Sequence, residues 1–332
     1  MKHLSPLIAI FFSCCLFLVG ASVVDAKIVC VIDGDIYVMD DDGTNRRRLT
    51  KTTEPINNVA PRWSPDGERI VFVRYMDQNN QKSSELFIMN ADGTNVQRLT
   101  DNNVDDDSPS WSPDGKKIAF SSGRSGNWEV HVIDLATQDV TQLTGFEDVK
   151  GEVPTGSTVP DWSPDGAQIV YEKFTEFGKD IYVMSANGED QRPLLRDLGP
   201  GKNRLRFFPR WSTDGRRIVF DDCTWPQGGK LRCRLRIATL DGKSHEVKGL
   251  YKNHGDNLLV GIMCWMRTDK SLLLDIQLLD KPNPNYDIYR YDLNTQKLIR
   301  LTDGEVDEHS ADWIEGALPV VPKDKKKSCG ER

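Results

Sequence analysis

The chain has 332 residues, with 43 Lys and Arg against 50 Asp and Glu, and its formal net charge of −7 argues against a nucleic-acid binder. After the first 26 positions no run of 18 apolar residues occurs, so no membrane span is expected in the mature chain. The length suggests two domains, but closed all-β repeat folds of this size form one unit, and repeats therefore decide the matter.

The N-terminus carries Lys2 and His3, an apolar run from Leu7 to Val19 and the small-residue exit Val24-Asp25-Ala26. This reads as a secretory signal cleaved after Ala26, which makes the protein periplasmic or secreted. Cleavage removes one charge of each sign, Lys2 and Asp25, and leaves the net charge at −7. Acylation at Cys14 or Cys15 is not expected, because processing there would leave a very short apolar stretch.

The segment 27–50 supplies three strands, Ile28 to Ile32, Asp35 to Met39 and Arg47 to Thr50. A repeated word then begins: Trp63-Ser64-Pro65-Asp66-Gly67, the same five residues from Trp111 and from Trp162, Trp211-Ser212-Thr213-Asp214-Gly215, and a degraded copy from Trp265. Ala311-Asp312-Trp313 closes the series. The Trp residues are 48, 51, 49, 54 and 48 positions apart, a period that belongs to propeller blades. Each Trp turn is followed by a β-rich run such as Arg69 to Val73, then by an alternating run such as Glu85 to Met89. An Asp92-Gly93 type of turn leads into a last run such as Gln97 to Thr100. Six Trp strands with three strands each give an all-β, six-bladed propeller of four-stranded antiparallel blades. The N-terminal unit lacks a Trp strand, and Ser310 to Ile314 is expected to supply it, so the ring closes by sharing one blade between the termini.

These words resemble those of the TolB-like propeller family, whose repeats read Trp-Ser-Pro-Asp-Gly, Ile-Tyr-Val-Met-Asp and Arg-Leu-Thr. The resemblance runs from about Lys27 to Gly316 and implies the propeller fold and, as a candidate role, an envelope interaction of the Tol–Pal kind. TolB itself has an α/β domain ahead of the propeller, whereas here the signal passes directly into a strand. The expected organisation is a signal peptide at 1–26, the propeller at 27–316 and a disordered tail at 317–332.

The regular words are structural: Pro presets φ at the second turn position, Asp bonds back to the backbone, and Gly takes a positive φ. The acidic turns at 40–45 and 90–95 lack the spaced ligands of a calcium loop and read as hairpin turns. Among the cysteines that survive cleavage, Cys223 and Cys233 flank one hairpin loop and are expected to form a disulfide after export. Cys30 and Cys264 read as buried thiols, and Cys329 lies in the tail. There is no Gly-x-Ser-x-Gly elbow. His131 and His245 fall in strands, and only His254 and His309 are placed in loops near a channel mouth. With carboxylates such as Asp256 or Asp307 those two are the candidates for a metal site, but two histidines at unlike positions carry little, and no cofactor is expected.

Antiparallel connectivity sends the turns after the first and third strands of each blade to one face, and the loops after the second strand and the blade links to the other. The first set is short and uniform; the second is long and unequal, which is where a rigid scaffold carries function. The links hold 14 acidic and 7 basic residues, with Arg204 and Arg206 in the one basic sector. A partner-binding rim is expected at Asp105, Asp106, Asp107, Glu305, Asp307, Glu308, Arg204 and Arg206, suited to a protein or peptide partner of the cell envelope. A monomer is expected, and the competing reading is an exported metal-dependent polysaccharide lyase or hydrolase.

Overall fold

The computed structural model describes residues 27–53, 55–78, 81–145, 156–176, 178–197, 204–224, 231–252, 255, 257–266, 269–280 and 284–315. Their regular elements are all β-strands, arranged as six four-stranded antiparallel sheets. In the second blade Asn57–Trp63 is innermost, followed outward by Arg69–Gln78, Gln81–Asn90 and Gln97–Arg98. The other innermost strands are Asp106–Trp111, Gly156–Trp162, Arg204–Trp211, Leu258–Met266 and Glu308–Ile314, and each packs against the innermost strands on both sides. The ring is closed. Its first blade takes Glu308–Ile314 from one end of the chain and Lys27–Ile32, Asp35–Asp40 and Arg47–Arg48 from the other, with Trp313 opposite Ile28. The closing strand starts two residues earlier than expected, which places His309 on a strand rather than in a loop. Both the signal segment and the tail from Gly316 lie outside the described residues.

Blades stack face to face, so their middle strands are buried on both sides and read as continuous apolar runs: Ile70, Val71, Phe72 and Val73 are all inaccessible. Each Trp joins two blades. Trp63 packs with Val29, Ile36 and Val38 of the preceding blade, and Trp111, Trp162, Trp211 and Trp265 repeat the arrangement. In the turn that follows, the Ser112 hydroxyl donates to Asp114 at 2.7 Å, and Asp114 accepts the Lys116 N–H at 3.1 Å. Those two bonds hold the Asp114 carboxyl below its usual range. Gly115 takes φ 68°, which a side chain would strain.

The Arg-Leu-Thr words have an equally local cause. The outermost strands are only two or three residues long, so side chains anchor them. Thr100 Oγ1 donates to Glu85 at 2.6 Å and accepts the Leu86 N–H at 3.0 Å, while Arg98 reaches the same carboxylate at 2.8 Å. Thr50, Asp35 and Arg48 repeat this set in the first blade. Glu85 is inaccessible to solvent, so losing either partner would leave a buried charge short of hydrogen bonds.

One irregularity governs the channel. Innermost strands carry a bulge just before Trp, seen as register shifts between Val59 and Arg62, Asp107 and Ser110, Thr158 and Asp161, and Phe207 and Arg210. The bulged residues Ala60, Ser108, Val159, Phe208 and Ser310 have φ between 49° and 54°. Side chains of the preceding blade take up some of the displaced N–H groups: Ser121 Oγ accepts from Val159 at 2.9 Å and Glu172 from Phe208 at 2.7 Å. Cys223 and Cys233 stand opposite each other in the fifth blade and are joined by a disulfide. Cys30 is buried, and burial pushes its thiol up to about 12. Cys264, expected as a buried thiol, is half-buried and lines the central channel.

Candidate interaction face

The long-loop end of the ring brings together Glu305, Asp307 and His309 of the closing segment with Asp33 and Asn57, walled by Val31, Val59, Pro284 and Val306. The recess has a volume of about 560 Å³. Its frame is hydrogen-bonded: Asp307 accepts the Tyr286 N–H at 2.9 Å, and Asn285 Nδ2 donates to the carbonyls of Gly304 at 2.9 Å and Val306 at 3.0 Å. Glu305 and Asp307 are exposed. Burial lowers the His309 pKa, against the opposing pull of Asp307, so its imidazole is neutral at pH 7. The recess therefore presents carboxylates and one neutral imidazole between apolar walls.

Other residues expected on the rim are placed differently. Asp106, Arg206 and Glu308 each lie five positions before a Trp, on innermost strands rather than in links, and are 0%, 0% and 1% exposed. Strand alternation turns that position into the protein, as it does Asn58 and Ser157. Asp106 accepts from Arg124 at 2.9 Å and Asn102 at 2.7 Å, and Glu308 from Arg46 at 3.1 Å. Asp105 anchors Ser84 through its N–H at 2.8 Å and hydroxyl at 3.0 Å, and Asp107 takes the Tyr75 hydroxyl at 2.8 Å. Arg206 and Arg204 of the basic sector are paired with carboxylates. Arg206 donates to Asp180 at 2.8 Å and Asp197 at 2.6 Å, and Arg204 pairs with Asp197 at 2.7 Å and Asp222 at 3.0 Å.

Apolar side chains are also exposed at this end. Among the described residues nine large apolar side chains are exposed, and seven of them lie toward this end: Trp128, Leu231, Leu279 and Val306 in its loops, Tyr75 and Leu259 near strand ends, and Phe208 at the bulge of an innermost strand. Only Val96 and Val140 lie elsewhere. Phe208 is 44% exposed because the bulge turns it outward, a displacement that plain alternation would not reveal. Of the two candidate metal histidines, His254 lies outside the described residues, as does Asp256. Among the described residues no group of three or more His, Cys, Asp or Glu is placed to hold a metal ion. No helix there is long and apolar enough to cross a membrane.

Residues 35–155 match the TolB beta propeller domain family. A stretch of 64 residues is 34% identical to the Tol-Pal system protein TolB of Thioalkalivibrio sulfidiphilus, covering 19% of this chain and 13% of that protein. The crystal structure of TolB from Acinetobacter baumannii superimposes with a TM-score of 0.66 at 17% identity, over 87% of this chain and 66% of that one. An oligogalacturonate lyase in complex with manganese gives 0.52 at 16% identity, over 83% and 73% of the two chains. At such identities these two structures are alike in fold alone. Six blades in a closed ring, the repeated words and the family match over residues 35–155 together make this chain a six-bladed β-propeller similar to those of the TolB family.

Proposed function

We propose that this chain is an exported TolB-like propeller that binds a protein or peptide partner of the cell envelope through its long-loop face. The observation that carries the reading is the concentration of exposed apolar side chains on that face, beside an acidic recess. Exposed apolar side chains beside carboxylates at one end suit a protein partner, and a rigid ring presents them at little cost in ordering entropy. The carboxylates of Glu305 and Asp307 suit a Lys or Arg side chain or an amino terminus of the partner, while Phe208, Leu259 and Val306 supply apolar contact. Asp105, Asp107 and Arg204 frame the face, and Asp106, Arg206 and Glu308 act beneath it by holding the loops in place. Export is supported by the apolar leader and by the Cys223–Cys233 disulfide, which persists in an oxidising compartment. The relative named as a Tol-Pal system protein supports an envelope complex.

The test is affinity capture from an envelope extract with two variants. Replacing Phe208 by Ser, Val306 by Ser and Glu305 by Lys together should reduce recovery of the wild-type partner about tenfold, the loss of a central interface cluster. Replacing Val96 by Ser and Asp92 by Lys on the short-turn face should leave recovery unchanged. Loss in the second variant with retention in the first would overturn the assignment of the face. Stoichiometric manganese or zinc in the purified protein would instead favour the metal-dependent lyase or hydrolase.

A further inference from the structure

The opposite end of the channel holds a second feature. Each innermost strand ends at its Trp or one residue beyond it, and in four blades the side chain just before that Trp takes up the backbone N–H of the next blade's Trp. Asp312 accepts from Trp63 at 2.8 Å, Asp161 from Trp211 at 2.8 Å, Ser110 Oγ from Trp162 at 3.3 Å, and the Cys264 sulfur from Trp313. Arg62 and Arg210 break the rule, since a guanidinium has no acceptor. In the blades that follow them, Trp111 and Trp265 are held through their indole N–H instead, donated to the carbonyls of Arg62 at 3.2 Å and Arg210 at 3.1 Å. The two arginine side chains are thus released from pinning the ring. Both turn to the channel and converge on one carbonyl, that of Met263, from Arg62 Nη1 at 3.1 Å and Arg210 Nε at 3.1 Å.

Two like charges brought together in a half-closed cup stabilise nothing by themselves. Burial, and then the charge of Arg62, pull the Arg210 pKa down to about 10. The donors are also incompletely used. Arg210 gives Nη1 to the Pro209 carbonyl at 3.0 Å, but Nη2 has no hydrogen-bond partner among the described residues, and neither do Nε and Nη2 of Arg62. Arg210 is only 9% exposed and the Arg62 side chain 15%, so what these N–H groups meet, they meet through the cup that both residues line. Two of the three acids that line the cup are engaged, Asp161 by Trp211 and by Ser110 at 3.2 Å, Asp312 by Trp63 and by Arg62 at 3.6 Å, while the third, Glu315, is exposed. Around this floor stand the six Trp residues, of which Trp63, Trp162, Trp211 and Trp313 keep buried Nε1 donors without an acceptor. The cup has a volume of about 420 Å³ and opens on the short-turn face.

We infer that this Trp-walled cup is a binding site for a small oxyanion, a carboxylate or phosphate group received between the guanidinium groups of Arg62 and Arg210. An oxyanion supplies acceptors where the structure offers donors, and arginine pairs with it through parallel N–H bonds in a way that lysine does not. The indole walls favour an organic carboxylate over inorganic phosphate. The site is separate from the long-loop face, so either assignment can fail without the other.

The experiment is titration of the purified protein with sodium succinate and, separately, with inorganic phosphate at constant ionic strength, read by intrinsic Trp fluorescence and by calorimetry. The expected result is saturable one-site binding of succinate, weakened about tenfold or more in R62Q and less in R62K, which keeps charge but loses the fork. Saturation by phosphate alone would keep the site and assign it to inorganic oxyanions. R62Q spares the more buried Arg210, and protection of Arg62 from phenylglyoxal by the anion in the wild-type protein provides a readout that depends on no variant folding. The long-loop substitution of Glu305 by Lys should leave the titration unchanged. No saturable response to either anion, or equal affinity in wild type and R62Q, would overturn the proposal.

Discussion

Replacing Arg206 by Ala tests whether the basic sector of the rim is structural. The guanidinium is inaccessible and lies against Asp180 and Asp222, whose side chains are 3% and 4% exposed, as well as the half-exposed Asp197. Removing one partner from a buried pair costs about 3–5 kcal/mol, because the carboxylates left behind can neither hydrate nor pair fully. Against a total stability of about 5–15 kcal/mol this should lower the urea midpoint by about 1–2 M, followed by Trp fluorescence. Burial already raises the carboxyl pKa values of Asp180 and Asp222, and Arg206 opposes it in both. Without Arg206 their folded-state values rise further above the unfolded ones. The variant's deficit is then complete above the raised values and disappears as pH falls towards the unfolded value of about 4. A deficit below about 1 kcal/mol at pH 7, or one of the same size at pH 7 and pH 4, would refute this account.

Three further outcomes are expected. Truncation after His309 removes most of the strand that pairs with Lys27–Ile32 and should abolish cooperative unfolding, whereas truncation after Pro322 leaves that strand intact and should preserve the melting temperature; equal losses would contradict blade sharing. Replacing Cys223 and Cys233 by Ser opens a loop of sequence separation 10 and should cost about 2–3 kcal/mol in denaturant unfolding, and an unchanged midpoint would show that the cross-link adds nothing. Burial raises Asp275 to about 6, so folding favours its protonated form and this residue's contribution falls as pH rises from about 4 to 6. The stability of D275N relative to wild type should therefore grow across that window by up to about 3 kcal/mol and stay level above it, and a pH-independent difference would remove Asp275 as the cause.

Much of the fold was legible in the sequence because its causes are local. The Trp-Ser-Pro-Asp-Gly turn closes through bonds between residues two to five apart, such as Ser112 with Asp114 and with Lys117. A six-fold recurrence of such local units has few ways to bury its apolar strands other than a ring. The blade shared between termini was legible for the same reason: three strands at one end lacked a Trp strand, and the other end had one to spare.

The rim was not legible, because exposure depends on where strands begin and on the bulge before each Trp. Asp105, Asp106 and Asp107 look alike in the sequence, yet their carboxylates serve a backbone anchor, a buried ion pair and a tyrosine hydroxyl. Arg206 looked like a free surface charge until Asp180 and Asp222, from strands of two adjoining blades, enclosed it. The convergence of Arg62 and Arg210 was likewise invisible, since they are 148 positions apart in the chain and meet only at the Met263 carbonyl across the channel. Sequence periodicity determined which residues form blades; the closure of the ring decided which charges meet, because it brings side chains from distant repeats onto one axis.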